Sequence, residues 1–568
     1  MSQKISEKLL KTEFKGFLGI DRSSYFGEDG CDLIQNFRID TSGALIKRPG
    51  RECIASLSAP VYSVLGVPLN IPSMNIDADL LIAAPPYLYA FDSESGDTVM
   101  LGDVSDEHVG LAEFSGEVYL SDTVGLRVLD TESGEMCSIS PYAPLYGKGW
   151  HPLTGGEIFE APNLLCGYLR INYKVEEATE RLELGLSALS VSRIEINGEP
   201  YDGFSLNNTY ISGSFPENSE VDVWFKVSFP QSGIFSCRGL CVVGGGADER
   251  LVAFDSAFKP SLVFCSEGVS DEDVRRSRLG FADSGALYFP KNMALDIQGK
   301  NVSAVCSCTD GFMIFTEDRA FLALPKDGKI EIFTVSRGIG CISPRAVLSK
   351  GKSVYTFSKS GIYRFDVDLS EPYDTSFKKL SSVLEGGTDL VIDKSCAIFE
   401  NPEDNEIWFS CAGTVFIYNL KHERFYSYTE MSLSAGYPAM SGFTVFEDAS
   451  VWRFSDELYM DMNFGSESTI YSTIRTRWLD FGEGTKKKRA LTVHPVFKAD
   501  GGGQTILAVE TDNGYAKVQP VYSDESHRPN HRSVRAAHCR FNSVRFTISS
   551  YNDSRPTIFG AVLTAKVT

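Results

Sequence analysis

Three of the seven histidines lie close together, at His527, His531 and His538. The four-residue spacing of His527 and His531 would bring both imidazoles to one side of a helix, where they could bind a metal ion. Pro529 lies between them and disfavours such a helix. The alternative is an exposed basic loop, whose arginines are Arg528, Arg532, Arg535 and Arg540. We favour this alternative and predict no metal site here.

Paired carboxylates are the other residues that could do chemistry, because glycoside hydrolysis uses two of them. Asp271 with Asp273 and Glu403 with Asp404 are such pairs, and both lie in turn-like segments. In a chain with 75 Asp and Glu, such pairs arise by chance, and catalysis would need a cleft that perturbs one partner.

The glycine runs 244–246 and 501–503 favour tight turns over a phosphate loop. We predict no catalytic, cofactor-binding or metal-binding residues, and no enzyme.

The densest basic run is Lys-Lys-Lys-Arg at residues 486–489. Such a run could contact DNA or an acidic partner subunit. The simpler interpretation is a solvated strand end, which is what most charge runs are. We favour the simpler interpretation.

The composition indicates a folded protein of several domains. A chain of 568 residues with 43% apolar and 12% aromatic residues is too long for one core, and its scattered 50 Gly and 24 Pro indicate many turns. We find no apolar run that could span a bilayer and no apolar export signal, so we expect a soluble protein without a membrane-spanning segment. The 13 cysteines include no Cys-x-x-Cys and mostly lie in apolar runs, which predicts reduced, buried thiols.

The net charge of −21 argues against tight binding to nucleic acid, which requires a basic face. It is compatible with transient, non-specific passage of DNA, because acidic walls repel phosphate and let the duplex slide.

The elements that would position any site are short strand pairs of one repeating kind. Each pair consists of two apolar, β-branched or aromatic runs around a polar turn, which is typical of a β-hairpin. The runs are 312–315 with 321–324, 354–357 with 362–365, and 407–409 with 415–418. They return at roughly forty to fifty residues, the period of a four-stranded propeller blade.

The sequence therefore predicts an all-β protein built on a β-propeller of about six to seven blades. Residues 155–240 break the rhythm and predict an inserted β-sandwich, for which the alternative is a few extra propeller strands. The predicted order is an N-terminal leader of short strands packing on the propeller or a neighbour (1–55), first blades (56–154), the insert (155–240), remaining blades (241–455) and a C-terminal β-sandwich (456–568).

Several short motifs resemble the tail nozzle, or tail tubular, proteins of short-tailed bacteriophages. The leader contains Gly-Ile-Asp at 19–21, Asn-Phe-Arg-Ile-Asp at 36–40 and Gly-x-Leu-x-Lys-Arg-Pro-Gly at 43–50. Later motifs similar to the same family are Ala-Pro-Asn-Leu-Leu at 161–165, Arg-Gly-Ile-Gly-Cys-Ile-Ser at 337–343 and Trp-x-Asp-Phe-Gly at 478–482.

The resemblance implies a structural virion protein without catalysis, assembled in the host cytoplasm. It implies a ring, commonly a homohexamer, below the portal and adaptor (the head–tail connector), next to tail fibre or tail needle proteins and around the channel for genome ejection. We expect acidic side chains to outnumber basic ones on the channel wall.

Two other functions remain open from the sequence. A glycan-active propeller enzyme would need an acidic or histidine-bearing pocket at the propeller axis. A cytosolic propeller scaffold for protein partners is disfavoured, because the chain lacks the Trp-Asp dipeptides of the commonest such repeat.

Overall fold

The computed structural model describes residues 8–15, 19–27, 30–40, 42–105, 108–139, 141–228, 233–244, 249–268, 287–309, 311–326, 329–368, 375–439, 442–500, 504–521, 534–537, 539–551 and 555–567. Regular structure in these ranges is β-strand, apart from short 3₁₀ turns at Pro72–Met74, Ile234–Ser236, Lys291–Met293, Pro344–Ala346 and Leu380–Leu384. Within these ranges no helix reaches the length and hydropathy of a membrane span.

Five short strands form the N-terminal part of the chain. They are β1 (Lys8–Lys15), β2 (Cys31–Gln35), β3 (Phe37–Ile39), β4 (Leu45–Lys47) and β5 (Gly50–Ser56). β3 pairs with its neighbour β4, whereas β1, β2, β4 and β5 pair with strands that lie about 400 residues or more further along the chain.

Two four-stranded antiparallel sheets follow and form blades 1 and 2. Blade 1 contains β6 (Ser63–Ile71), β7 (Ile76–Ala84), β8 (Tyr87–Phe91) and β9 (Thr98–Asp103). Blade 2 contains β10 (Gly110–Phe114), β11 (Glu117–Ser121), β12 (Leu126–Leu129) and β13 (Met136–Ser138).

The insert between blades 2 and 3 is a β-sandwich. Its strands are β14 (Leu145–Trp150), β15 (Tyr168–Val175), β16 (Thr179–Glu183), β17 (Ala188–Ile196), β18 (Glu199–Pro200), β19 (Ser205–Asn207), β20 (Tyr210–Phe215) and β21 (Ser219–Val227). One sheet has the order β14-β15-β21-β17-β18 and the other β16-β20-β19, with a separate apolar core between them. The buried Asn163 fixes the base of the insert, since its amide nitrogen donates to the carbonyls of Tyr142 (2.9 Å) and Leu287 (3.0 Å).

Four further blades follow the insert. Blade 3 contains β22 (Cys237–Val243), β23 (Arg250–Ser256), β24 (Leu262–Cys265) and β25 (Ala294–Asp296), and blade 4 contains β26 (Val302–Cys308), β27 (Gly311–Thr316), β28 (Ala320–Lys326) and β29 (Lys329–Ser336). Blade 5 contains β30 (Val347–Lys350), β31 (Ser353–Ser358), β32 (Gly361–Asp366) and β33 (Ser376–Lys379). Blade 6 contains β34 (Ala397–Asn401), β35 (Glu406–Cys411), β36 (Thr414–Asn419) and β37 (Arg424–Thr429).

Blade 6 shows why these sequences form blades. All six residues of β35 and all six of β36 are buried, because neighbouring blades cover both faces of the sheet. The two strands are joined by Ala412 and Gly413, both with positive φ (38° and 80°), as a tight two-residue hairpin turn requires.

Blade 7 is completed by a strand from the leader. Its own strands are β38 (Leu433–Ala439), β39 (Gly442–Glu447) and β40 (Ser450–Ser455), and β5 pairs antiparallel with β40 as the fourth strand. The first strands of successive blades contact one another around the full circle, and β38 of blade 7 contacts β6 of blade 1. The propeller is therefore a closed ring of seven blades.

Of the remaining strands, the first two extend the blade 7 sheet beyond β5, and the others form a C-terminal β-sandwich together with β1 to β4. They are β41 (Asp461–Asn463), β42 (Ser466–Ser468), β43 (Ser472–Thr476), β44 (Lys488–Asp500), β45 (Gln504–Thr511), β46 (Ala516–Val521), β47 (Val534–Ala537), β48 (Val544–Tyr551) and β49 (Arg555–Val567). One sheet combines β3, β4, β49, β44 and β47, with β1 also paired to β49; the other continues blade 6 in the order β37-β2-β43-β48-β45-β46.

The predicted fold class is confirmed: an all-β chain with a propeller, an inserted sandwich and a C-terminal sandwich. The strands of the segment predicted as a leader divide between blade 7 (β5) and the C-terminal sandwich (β1 to β4). The insert begins with β14 at Leu145, ahead of residue 155, because β14 pairs in parallel with β15.

Asn36 joins the leader to blade 6. It is 4% exposed, with a φ of 57° that Asn tolerates better than most residues. Its backbone N–H donates to Ser427 O (2.7 Å), its side-chain oxygen accepts from Thr429 N (3.1 Å), and its side-chain nitrogen donates to Tyr471 O (2.7 Å).

A buried ion cluster holds β5 in place; we call it the Asp461 clamp, consisting of Arg48, Arg51 and Asp461. Arg48 donates two hydrogen bonds to the Asp461 carboxylate, at 2.8 and 2.7 Å, and Arg51 Nε lies 3.4 Å from the same carboxylate. Arg48 and Arg51 are 3% and 5% exposed. Gly50 lies between them, and a Cβ there would lie only 2.1 Å from Met460 O, so this close approach requires glycine.

We predict that Asp461→Asn strongly destabilises the protein. The substitution leaves the buried Arg48 guanidinium without its counter-charge, whereas Arg51 keeps Glu447 at 2.7 Å, and breaking a buried pair in this way costs about 3–5 kcal/mol. Chemical denaturation followed by tryptophan fluorescence should show a lower free energy of unfolding, whereas the exposed Asp97→Asn in blade 1 serves as the control and should not change it. An unchanged midpoint for Asp461→Asn would mean that the clamp does not hold the ring closed.

Candidate functional site

A prominent cavity, which we call the axial pocket, lies where loops of five successive blades converge. Its volume is about 620 Å³. His108 precedes the first strand of blade 2, Arg238 lies on that of blade 3, and Lys300, Ser343 and Lys394 precede those of blades 4, 5 and 6. Because the first strands form the inner wall of the ring, these residues lie at one end of that wall.

Most charges of the axial pocket form ion pairs with one another. Arg238 pairs with Asp255 at 3.0 Å, and Lys300 pairs with Asp318 at 3.5 Å. Lys359, on the turn between β31 and β32, pairs with Glu317. The first two pairs lie within blades 3 and 4, and the pair of Lys359 with Glu317 links blade 5 to blade 4.

The pocket carboxyls Glu317 and Asp318 have lowered pKa values. A hydrogen bond from Lys359 lowers the pKa of Glu317, and a hydrogen bond from Thr316 lowers that of Asp318, with nearby lysines adding to both effects. A glycosidase needs the opposite shift in its proton donor, whose pKa must be raised to stay protonated near neutral pH. These two carboxyls are therefore poor general acids.

A second group of polar side chains lies beside the pocket. The Tyr62 hydroxyl forms a hydrogen bond with Nδ1 of His108, and the Arg345 guanidinium lies 4.7 Å from the centre of the Tyr62 ring. Burial raises the pKa of Tyr62 to about 12, so its hydroxyl is protonated at neutral pH. This corner brings together side chains from blades 1, 2 and 5.

The residues that the sequence marked for possible chemistry are not brought together at this pocket. His527, His531 and His538 lie outside the described residues, as do Asp271 and Asp273, Gly245 and Gly246, and residues 501–503. Within the described ranges no group of three His, Cys, Asp or Glu side chains could hold a metal ion. All 13 cysteines fall in the described ranges and are free thiols.

The basic run 486–489 contains a buried cation. The Lys488 side chain is fully buried, and its Nζ donates to the carbonyls of Glu483 (2.7 Å), Lys486 (3.1 Å) and Asn542 (2.7 Å). Burial lowers the pKa of Lys488. Lys488 therefore holds the loop before β44 in place, and a solvated strand end describes only part of this run.

Of the two carboxylates in the turn between β34 and β35, Asp404 has a structural partner. Asp404 lies 3.6 Å from Arg38 of the leader, and Glu403 is exposed. The next carboxyl, Glu406, is 2% exposed and accepts hydrogen bonds from Trp408 Nε1 (3.0 Å) and the Tyr426 hydroxyl. Burial raises the pKa of Glu406 to about 7. This perturbed group lies inside blade 6 and away from the axial pocket.

Sequence reasoning missed the axial pocket residues. Arg238, Lys300 and Lys394 carry no local motif, and only the circular arrangement of the blades brings them together. Ser343 did end a motif, Arg-Gly-Ile-Gly-Cys-Ile-Ser at 337–343, but nothing in that motif indicated a cavity.

Comparison with known proteins adds little. No protein-family model matches this chain, and no curated protein matches it. Among solved structures, the WD40 domain of Pan2 from Neurospora crassa is similar at a TM-score of 0.36 and 8% identity, over 72% of this chain and 94% of that one. Apo AztD from Citrobacter koseri has a TM-score of 0.27 and 11% identity, over 70% and 86%.

An exo-β-1,3-galactanase from Phanerochaete chrysosporium, with galactose, has a TM-score of 0.23 and 9% identity, over 57% of this chain and 95% of that one. These TM-scores are all below 0.5, which is too low to support a conclusion about function. The propeller assignment rests on the strand pairing described above.

We predict that Glu406 makes the protein less stable as the pH rises from about 4.5 to about 7. The folded pKa, about 7, is above the ordinary value of 4.5, so between these values the folded state holds a proton that the unfolded state has lost. The decrease in the free energy of unfolding reaches about 3 kcal/mol and stays constant above pH 7.

Urea denaturation at several pH values should show this loss in the wild type and in Glu403→Gln, an exposed change in the same turn. Glu406→Gln should abolish it. A Glu406→Gln protein with the same pH dependence as the wild type would contradict the assignment.

Proposed function

We propose that this chain is a structural subunit of the tail of a short-tailed bacteriophage. In this proposal, copies of the chain, commonly six, form a nozzle ring below the adaptor, and the genome leaves through the channel of the ring. The resemblance of the leader and of the later motifs to tail nozzle proteins suggests the proposal. The main structural support is the rigid connection between the propeller and the C-terminal sandwich.

Two sheets run without interruption from the propeller into the C-terminal region. In the first, β37 of blade 6 pairs with β2, which pairs with β43. In the second, β5 of blade 7 pairs with both β40 and β41. Hydrogen-bonded sheets that cross a boundary leave no flexible linker there, which suits a subunit that must keep its shape while DNA passes.

The motifs that carry the resemblance have structural tasks in this chain. Asn36 joins the leader to blade 6, and Arg48 and Gly50 close blade 7 through the Asp461 clamp. Trp478 stacks against Tyr25 of the leader at 6.1 Å, and the Arg545 guanidinium lies 4.9 Å from its ring. If the chain is a structural subunit, we expect its distinctive residues to hold parts of the chain together in this way.

The insert offers a surface for a second copy of the chain. Leu153, Ile158 and Phe159 are 52%, 59% and 56% exposed, although backbone hydrogen bonds fix their loop. Trp150 Nε1 also donates to Glu157 O in this loop, at 2.8 Å. An ordered loop that holds three large apolar side chains in water is typical of a contact surface. In a ring, the neighbouring subunit would cover it.

We predict that electron microscopy of the purified protein, or of virions containing it, shows a closed ring with a central hole. The surface that lines the hole should carry more acidic than basic side chains, because the chain has a net charge of −21 and a basic wall would hold DNA. Dispersed monomers that degrade polysaccharide would contradict the structural role and favour a glycan-active enzyme. A channel wall with net positive charge would contradict the sliding mechanism.

We predict that the double substitution Ile158→Asp and Phe159→Asp weakens ring formation. Two carboxylates in a contact between subunits would be desolvated without partners, at a cost of several kcal/mol. Mass photometry should show subunits in place of rings, with an unchanged melting temperature because both side chains are exposed. Val124→Asp, 72% exposed in blade 2, is the matched control and should assemble normally. Normal rings from the double variant would rule out this loop as the contact.

A further inference from the structure

Two buried cysteines face each other at the open end of the first hairpin of blade 6. Cys396 immediately precedes β34, Cys411 is the last residue of β35, and the two residues are 0% and 2% exposed. The ladder pairs Ala397 with Ser410, so the next residues outward, Cys396 and Cys411, are directly opposite each other. Residues directly opposite in an antiparallel pair project to the same face of the sheet. The two thiols therefore lie side by side, and a hydrogen bond joins them.

The position of this pair in the ladder suits a disulfide. Cys411 pairs with Thr414 across the two-residue turn to β36, so its backbone N–H and C=O point towards β36 and away from Cys396. The Cys396 N–H is also used elsewhere, because it donates to Asp393 O at 3.2 Å. Facing residues that share no backbone hydrogen bond have Cα atoms about 4.5 Å apart. Disulfides span Cα separations of about 4.4 to 6.8 Å, so the bond requires little movement of either strand.

One of the two thiols ionises more readily than the other. The hydrogen bond from Cys411 lowers the pKa of Cys396, and the Asp393 N–H, which lies 3.4 Å from the Cys396 sulfur, adds to this effect. The same contact between the thiols, together with burial, raises the pKa of Cys411. Cys396 is therefore the thiol of the pair that forms a thiolate first.

A surface loop covers the two thiols. Residues 385–395 contain no strand, most of them are exposed, and the carbonyl of Val391 lies 3.7 Å from the Cys396 sulfur. Asp389 anchors this loop to the leader by accepting two hydrogen bonds from Arg22, at 2.6 and 2.9 Å. The thiols are inaccessible while the loop is closed, so a reagent reaches them only when it opens. Exposed loops open at a lower free-energy cost than sheets, so β34 and β35 stay paired during this opening.

We propose that Cys396 and Cys411 form a reversible disulfide when the protein meets an oxidising environment. The oxidant is a small organic disulfide such as oxidised glutathione. The Cys396 thiolate attacks one glutathione sulfur, forms a mixed disulfide and releases the first glutathione. The Cys411 thiol then attacks the Cys396 sulfur, and its proton passes to the second glutathione as that leaves. The two cysteines lose two protons and two electrons, and the oxidant gains them as two glutathione thiols.

The disulfide stabilises blade 6 in an oxidising environment. Closing a loop of about 15 residues removes conformational entropy from the unfolded chain, so the oxidised protein is the more stable form. In a reducing compartment the two cysteines remain free thiols, as they are in the structure. The bond lies within one chain, so the inference goes beyond the proposed tail function and does not depend on it.

Mass spectrometry on the full chain tests the proposal. The reduced protein is incubated with oxidised glutathione or with dithiothreitol, then denatured, alkylated and digested with trypsin. Residues 395–421 form one tryptic peptide, which contains both cysteines. After oxidation we expect this peptide to be two hydrogen atoms lighter and to escape alkylation, whereas the peptide with Cys265 is alkylated. Alkylation of both Cys396 and Cys411 in the oxidised sample, or glutathione retained on either of them, would overturn the proposal.

Two substitutions separate the disulfide from effects on folding. The melting temperature of the wild type should be a few degrees higher after oxidation, whereas that of Cys411→Ala should be the same in both buffers, because Cys396 then has no partner. Cys265→Ala is the matched control: this buried thiol faces Val252, so the variant should keep the wild-type difference. A difference that persists in Cys411→Ala would overturn the assignment of the pair.

A third variant tests the route by which the oxidant enters. Asp389→Asn removes the charge that holds the loop against Arg22, so the disulfide should form several-fold faster than in the wild type. The rate is followed by quenching samples with acid and counting alkylated thiols in the peptide 395–421. An unchanged rate would overturn the opening of this loop as the route.

Discussion

The structure depends on the closure of the propeller by β5. No single blade can bury both of its faces, so each blade is stable only between two neighbours, and a ring with a gap would expose the faces of blades 1 and 7. The seventh blade obtains its fourth strand from the leader, and the Asp461 clamp fixes that strand against residues that follow the propeller. One ion cluster therefore secures the ring and the junction with the C-terminal sandwich together.

The two sites with unusual electrostatics have different meanings. In blade 6, the raised pKa of Glu406 accompanies hydrogen bonds from Trp408 and Tyr426 in a closed core, which makes it part of the packing. In the axial pocket, the lowered pKa values of Glu317 and Asp318 belong to carboxylates paired with lysines on the wall of an open cavity. Perturbed groups mark a binding site only where a ligand can reach them.

The sequence predicts local pairing well and distant pairing poorly. The hairpins at 354–357 with 362–365 and at 407–409 with 415–418 form as predicted, since their strands are joined by short turns. The pairing of Gln35 with Ser427 could not be predicted, because it links two edges about 400 residues apart without a pattern of its own. The axial pocket was missed for the same reason, and Lys488 was partly misjudged because a charge run gives no sign of burial.

The distance between β5 and β40 also sets the timing of folding. A ribosome adds about 5–20 residues per second, so β5 waits on the order of 20 s or longer before its partner about 400 residues later is synthesised. During that interval its unpaired edge is open to wrong partners. Arg51 and Glu52, on the strand itself, give this edge the charges that discourage aggregation. The same arginine that later becomes buried in the clamp thus keeps the nascent strand soluble.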